Sequence, residues 1–430
     1  MAPNKRKTIE VRSSVQSVRW IDVSSAQFAS SESARDINRD IVLQFIRIRQ
    51  PIGRADLSRI SGLRPSTISA IVEQLIEEGW VTEGEIVKPS RGRPSKMLAM
   101  NPSRLTVALD VRPDRVILAI VDFSGEFLSY ETVWMRVSPA RTVAQIIALI
   151  RQFRRQHKDK TFEGIGVSMP GRVHPVTQQL LMAPNLHWQG FDLKKALKKG
   201  TGLQVELDND ANVCLLSELW YGRVNGIRNA VMVAVSEGVG ASILAGGEIY
   251  SGYNGLAGEF GHISVDPRGP KCECGQRGCW EMMASSRAAL RTFQQLSPRT
   301  VVHNVSELFS MADKGNRAAI AALARQAKAL GQGLRLITAA LSPELILITG
   351  DVTASWDRFG PIVNKALKDS MLAGDPPRLQ ISADGDRARL SGAAAMLMQR
   401  HVEYYKSNKR LPKWKQKRQD GARRKKSIHA

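Results

Sequence analysis

Three of this chain's four cysteines fall within eight residues, in the run Cys272-Glu273-Cys274-Gly275-Gln276-Arg277-Gly278-Cys279, and Gly261-His262 stands nine residues before that run. No other stretch constrains the local fold so tightly. Cysteines this close together cannot staple distant parts of a 430-residue chain, so there is no disulfide framework, which suits a reducing compartment. One imidazole and three thiolates instead suit a tetrahedral Zn²⁺ in a closed, structural site. Gly275 and Gly278 let the backbone curl back so that Cys274 and Cys279 reach the same ion. His262, Cys272, Cys274 and Cys279 are therefore the expected ligands. Cys214 stands apart, on a predicted helix face with Leu215 and Leu219, and reads as a buried core thiol.

After Asn101-Pro102 apolar, β-branched runs alternate with helical segments, among them Thr106–Ile120, Val143–Phe153, Ala211–Tyr221, Ala230–Val235, Ala318–Leu341 and Leu345–Thr349. Alternation of this kind over some 300 residues predicts an α/β body. No apolar run reaches the ~18 residues that a membrane helix needs. The best, around Leu334–Ile348, is interrupted by Arg335, Pro343 and Glu344. The basic start Met1-Ala-Pro-Asn-Lys-Arg-Lys leads into Ser-rich sequence, not into the apolar core of a secretory signal. The expected setting is the cytoplasm, at the nucleoid, with no membrane partner.

Residues 1–33 read as a flexible arm, and 34–101 as a winged helix-turn-helix. Ile37, Ile41, Val42, Phe45 and Ile46 fall on one face of a first helix. A short helix over Arg54–Ile60, a tight turn at Ser61-Gly62-Leu63 and a second helix from Pro65 to about Glu78 follow. Gly62 suits a turn that needs positive φ, Ser58 supplies a small residue, and Ile68 and Ile71 face inward. In this arrangement the second helix lies in the DNA major groove and presents Arg64, Ser66, Thr67, Ser69 and Ala70. Arg64 is a poor N-cap and reads either as a DNA contact or as a solvated charge. Two short strands are expected near Trp80–Thr82 and Lys96–Ala99. Between them Arg91, Gly92 and Arg93 precede Pro94, a stretch suited to a narrow minor groove or else a charged linker.

Net charge is +22, and its location matters more than its size. Residues 406–430 hold eleven Lys/Arg against one acid, and residues 1–100 sixteen against eleven. Basic ends imply a polyanionic partner such as nucleic acid, or serve only solubility. The segment 406–430 is expected to be a disordered basic tail.

The chain resembles the repressor–open-reading-frame–kinase (ROK) family over nearly all of residues 36–400. The resemblance rests on Asn209-Asp210-Ala211-Asn212, on Gly255-Leu256-Ala257-Gly258-Glu259-Phe260-Gly261-His262, on the Cys272–Cys279 run and on Glu281. Ser168-Met169-Pro170-Gly171 and Ala183-Pro184-Asn185-Leu186 add weaker matches. It implies a two-lobed, actin-like, sugar-kinase-like α/β body behind the DNA-binding unit. One lobe would span 102–225, completed by about 386–400, and the other 226–385. It also implies a sugar-binding set of Gly171, Asn209, Asp210, Glu259, His262 and Glu281, in which Asp210 matches the general base of the kinases. No residue is expected to be catalytic here.

Three departures on the nucleotide side give that expectation. Family kinases carry a first phosphate loop of the type Asp-x-Gly-Gly-Thr, where this chain has Asp110-Val111-Arg112-Pro113-Asp114. Pro113 also removes an amide donor. The second glycine loop, Ser236-Glu237-Gly238-Val239-Gly240, has a carboxylate where kinases carry Thr, and Thr349-Gly350-Asp351 is one glycine short. The expectation is thus a sugar- or sugar-phosphate-responsive transcriptional regulator, dimeric or tetrameric, on a pseudo-palindromic operator. The alternatives are a sugar kinase with an added DNA-binding unit, or a DNA-binding scaffold controlled by a protein partner.

Overall fold

The structure is a computed structural model that describes residues 31–409, apart from 88–94, 136–137, 184–185, 187, 189–190, 223–226, 253, 370–374 and 383–384. Arg91, Gly92 and Arg93 lie outside the described residues, as do most of the expected arm and tail.

The N-terminal unit consists of α1 (Ser31–Arg49), β1 (Ile52–Gly53), α2 (Arg54–Ser61), α3 (Pro65–Glu77), β2 (Val81–Val87) and β3 (Ser95–Met100). The strands pair antiparallel in the order β1-β3-β2. Gly62 ends α2 at φ 70°, the left-handed geometry that favours glycine. Ser58 Oγ donates to Leu63 O at 2.6 Å and so braces the turn. Ile68, Ile71, Val72 and Leu75 form the buried stripe of α3. Ile41, expected inward, is 42% exposed, because the buried stripe of α1 runs through Val42, Leu43 and Ile46.

A first lobe follows. Its elements are β4 (Arg104–Val111), β5 (Arg115–Asp122), β6 (Phe127–Trp134), α4 (Pro139–Gln156), β7 (Thr161–Met169), β8 (Arg172–Val173), β9 (Leu180–Met182), α5 (Leu193–Thr201), β10 (Val205–Asn209) and α6 (Asp210–Tyr221). The second lobe has β11 (Ala230–Val235), β12 (Val239–Ala245), β13 (Glu248–Ile249), α7 (Glu281–Ala284), α8 (Ser286–Leu296), α9 (Val305–Asp313), α10 (Arg317–Leu341), β14 (Leu345–Thr349), α11 (Trp356–Lys368) and β15 (Arg378–Ile381). The last helix, α12 (Gly385–Lys409), packs on β4, β7 and α6 of the first lobe. It runs four residues into the segment expected to be a disordered tail, and α1 begins three residues inside the expected arm.

Each lobe is built on a five-stranded mixed sheet, in the orders β10-β7-β4-β5-β6 and β13-β12-β11-β14-β15. Strand β5 is buried on both faces after its first residue, which is why it reads as a continuous apolar run. The two-residue side-chain period then divides it. Val116, Leu118 and Ile120 join the core under α4 and α5. Ile117, Ala119 and Val121 join a core that holds α6, α12 and the N-terminal unit. Helix α6 is divided in the same way. Val213, Leu216 and Trp220 belong to the core shared with the N-terminal unit, whereas Cys214 and Leu215 pack on Ala230, Met232 and Leu347 of the second sheet. Cys214 is fully buried, as the sequence implied.

Two glycines set how closely α12 sits. A Cβ on Gly166 would lie 1.8 Å from Ala393 O, and one on Gly392 would lie 1.9 Å from Val213 O. Backbone cannot yield there as a side chain would, so Gly166→Ala and Gly392→Ala should each lower stability by roughly 1–3 kcal/mol or more. Thermal melts check this, and an unchanged melting temperature would contradict the close approach.

Candidate metal centre and ligand cleft

One ligand atom each from His262, Cys272, Cys274 and Cys279 lies within 4.8 Å of the others. Cys274 and Cys279 sulfurs are 3.5 Å apart, and Cys272 Sγ is 3.5 Å from His262 Nδ1. A tetrahedral ion with bonds of ~2.0–2.3 Å places its ligand atoms roughly 3.5–3.8 Å apart, so the set fits a metal. Burial pushes the Cys272 and Cys279 thiols up from their ordinary range, and a bound cation is what would let such thiols ionise. The loop backbone suits such a site. Gly275 and Gly278 have φ of 95° and 62°, and a Cβ on Gly278 would meet Asp266 O at 1.6 Å. Trp280 anchors the loop on α10 by donating from Nε1 to Ala329 O at 2.8 Å.

The expected cleft residues arrive from four segments. Asn209 caps α6, its Oδ1 accepting the Asn212 amide at 3.0 Å while its Nδ2 donates to Gly171 O at 3.1 Å. Gly171, at φ 93°, lies so close to the 180–183 segment that a Cβ would meet Met182 O at 2.2 Å. Asp210 opens α6, and its Oδ1 lies 3.8 Å from where a Cβ on Gly240 would stand. Glu281 opens α7 directly behind the metal ligands. Its Oε1 is 3.2 Å from Cys272 Sγ and 3.6 Å from His262 Nδ1, and its Oε2 would be 3.0 Å from a Cβ on Gly238. The other ring nitrogen of His262, Nε2, is 3.9 Å from Glu259 Oε2. The imidazole thus faces Cys272 and Glu281 with Nδ1 and Glu259 with Nε2.

Burial pushes the Asp210 carboxyl above the usual range; Arg389 opposes that shift and Asp110 adds to it. Burial also raises Glu259, against the charges of His262 and Arg172. Arg172 and Arg389 were not singled out from the sequence, whereas Asp110 was, as the start of the altered phosphate loop. Arg172 follows Gly171 directly, and its Nε is buried with no hydrogen-bond partner among the described residues. A cavity of about 480 Å³ lined by Gln178, Met182, Trp188, Phe191 and Leu207 opens beside Gly171. None of the six expected sugar residues lines it.

On the nucleotide side Asp110 is buried, and its Oδ2 accepts from Arg112 Nε at 2.8 Å and lies 3.7 Å from Arg389. Glu237 is exposed, so its charge acts through solvent and not in a dry site. Arg287 Nε holds the same loop by donating to Glu237 O at 2.7 Å. On the N-terminal unit, Arg64, Ser66 and Ala70 are exposed and Thr67 and Ser69 half-buried at the start of α3. Arg64 sits at the N-cap and makes no capping bond.

A family model described as "ROK family" matches residues 106–400. The chain belongs to the ROK family. Its body is therefore the two-lobed, sugar-kinase-like ROK fold. The chain is 30% identical over 331 residues to the "Xylose repressor" of Bacillus subtilis (strain 168), covering 76% of this chain and 85% of that one. It is 31% identical over 324 residues to the "Glucokinase" of Halalkalibacterium halodurans, covering 71% and 98%. Among solved structures, a ROK family transcriptional regulator described as a homologue of the Escherichia coli MLC protein superposes with a TM-score of 0.72 at 25% identity. It covers 86% of this chain and 99% of that one. Among the described residues of this ROK chain, no helix is long and apolar enough to cross a membrane.

Asp210 carries a pH signature. A carboxyl raised in the folded state is penalised when ionised, so its contribution to stability is lost as pH rises through the raised value. Asn lacks that charge. Asp210→Asn should melt above the native protein near about pH 7, with the gap closing toward about pH 4. Melting curves across that range check it, and a variant that melts below native at neutral pH would contradict the sign.

Proposed function

We propose that this ROK protein is a sugar-responsive, DNA-binding transcriptional repressor whose body no longer transfers phosphate. The observation that carries the reading is the contrast between the two sides of the cleft. On one side His262 lies 3.9 Å from Glu259 and 3.6 Å from Glu281, the charge of Asp210 is felt at Glu259, and Asn209 stands next to Asp210 at the start of α6. On the other, Asp110 is engaged by Arg112 and Arg389 where a kinase would direct backbone amides at phosphate. A sugar offers a ring of donors and acceptors, and carboxylates with an amide and an imidazole match it. The xylose-repressor and glucokinase relatives support an aldose as the effector class.

Zinc is the metal that three thiolates and an imidazole select. Its role is structural: when bound it supplies rigidity, and His262 and Glu281 hold their places in the cleft because of it. Helices α2 and α3 with strands β2 and β3 act as a winged helix-turn-helix. Arg64, Ser66, Thr67, Ser69 and Ala70 face the major groove, and Arg91, Gly92 and Arg93 of the wing face the backbone or minor groove. Two such units in a dimer, or in a pair of dimers, would read half-sites one helical turn or a multiple apart. On this reading the DNA unit spans 34–101, one lobe 102–225 with about 386–400, and the other 226–385. The tail from 406 adds sequence-independent affinity.

The test begins with operator duplexes selected by the full-length protein from a random pool. Their affinity is then measured with and without a panel of aldopentoses and aldohexoses, D-xylose and D-glucose first. One sugar of the panel should weaken operator binding, and Asp210→Ala or Glu259→Ala should abolish that response while leaving sugar-free operator binding intact. A panel without effect sinks the sugar reading. The glucokinase relatives make a kinase the second reading. An enzyme-coupled assay that found ADP release with any panel sugar, lost in Asp210→Asn, would establish it instead.

For the metal, native mass spectrometry should find one zinc per chain. Cys274→Ser should lose it and melt lower. A metal-free native chain of full stability would refute the structural role.

A further inference from the structure

Helix α6 has one end in the cleft and the other against the DNA-binding unit. It is twelve residues long, about 18 Å at 1.5 Å per residue. Asn209 and Asp210 stand at its N-terminus. At its C-terminus the rings of Trp220 and Tyr221 receive the guanidinium of Arg47 from α1, with its Cζ 4.7 Å and 5.8 Å from the two ring centres. Arg47 is only 7% exposed, and burial lowers its guanidinium to about 10. Its Nε donates to Gln44 Oε1 at 3.0 Å. Among the described residues no carboxylate pairs with it. A buried cation that rests on rings and an amide can shift along them without stranding an anion.

The rings are held from the body side. Trp220 Nε1 donates to Gln399 Oε1 of α12 at 3.2 Å. Tyr221 lies against the β5–β6 turn, where a Cβ on Gly125 would come within 2.8 Å of its ring. About two turns earlier on the same α1, Arg39 pairs with Glu78, the residue that closes α3. Helix α1 thus grips the DNA-reading helix with Arg39 and α6 with Arg47. Eight of the twelve residues of α6 are buried, and Gly392 brings the backbone of α12 against it. A closely packed helix of this kind moves as a unit, not by bending.

We propose that α6 transmits ligand occupancy of the cleft to the DNA-binding unit, with Arg47 as the positioning residue at the joint. The proposal rests on the reading that the cleft binds a sugar and that α3 reads DNA. Arg47 touches neither ligand. Its contact with Trp220 and Tyr221 differs in strength between the sugar-bound and sugar-free arrangements, and that difference is what sugar can use to change operator affinity. By reciprocity, operator changes sugar affinity by the same factor.

The test compares the native protein, Arg47→Met and Arg47→Lys, all full length. Methionine fills the slot without charge; lysine keeps the charge without the planar face that stacks on rings. Operator affinity is read by fluorescence anisotropy with and without the panel sugar that acts on the native protein. Sugar affinity is read by calorimetry without DNA. In Arg47→Met the ratio of the two operator affinities should fall to within about twofold of unity, while sugar affinity stays within about threefold of native, with Arg47→Lys between. A merely structural role would weaken operator binding equally with and without sugar and leave the ratio at its native value. That result overturns the proposal, as does loss of sugar binding itself. If Arg47→Met does not fold, Arg47→Lys decides on the same ratio. A native protein whose operator binding no panel sugar changes overturns the functional reading and this one together; a responsive native protein with equally responsive variants overturns the relay alone.

Discussion

The N-terminal unit and both lobes meet around α6 and α12. Two glycines, Gly166 and Gly392, let α12 press onto β7 and α6 at backbone distance. Because α6 then contacts both sheets, one of its faces belongs to the core that also contains the helices of the N-terminal unit, and another to the second lobe. Interiors packed to this density have few ways to deform, so relative motion becomes a choice between discrete packings.

The second constraint is the His262 and cysteine cluster that could hold a metal ion. It lies on the second lobe, and His262 faces two ways, with Nδ1 toward Cys272 and Nε2 toward Glu259. Glu281 follows the last cysteine by two residues and lies within 3.6 Å of the same imidazole. The segment that holds the candidate ligands leads directly into Glu281, while Asn209 and Asp210 stand at the start of α6 in the first lobe.

The nucleotide side was built differently. Asp110 is buried in contact with Arg112 and close to Arg389, on a helix more than 270 residues further along the chain. Reading Arg112 beside Asp110 was possible from the sequence. Reading Arg389 there was not, because nothing local in α12 announces which strand end it will face. Glu237 is exposed, so its carboxylate repels a neighbouring anion less than it would in a dry site. What sets this side apart is that Asp110 is occupied by the cations of Arg112 and Arg389.

What the sequence determined by itself was whatever is encoded over short spans. The ligand set of His262 and three cysteines, the turn at Gly62, the inward stripe of α3 and the alternation of strands and helices all depend on spacing within a few residues, where helix and strand periods govern. Ile41 was misjudged because one turn of periodicity does not say which of two adjacent stripes faces a neighbour not yet placed. Only the tertiary structure decided that the DNA-binding unit shares a core with the first lobe. It alone put Arg47 on Trp220 and Tyr221, and stood Arg172 and Arg389 beside the cleft. Those contacts join residues tens to hundreds of positions apart, and which of them meet is settled by how whole elements pack, not by any pattern within one element.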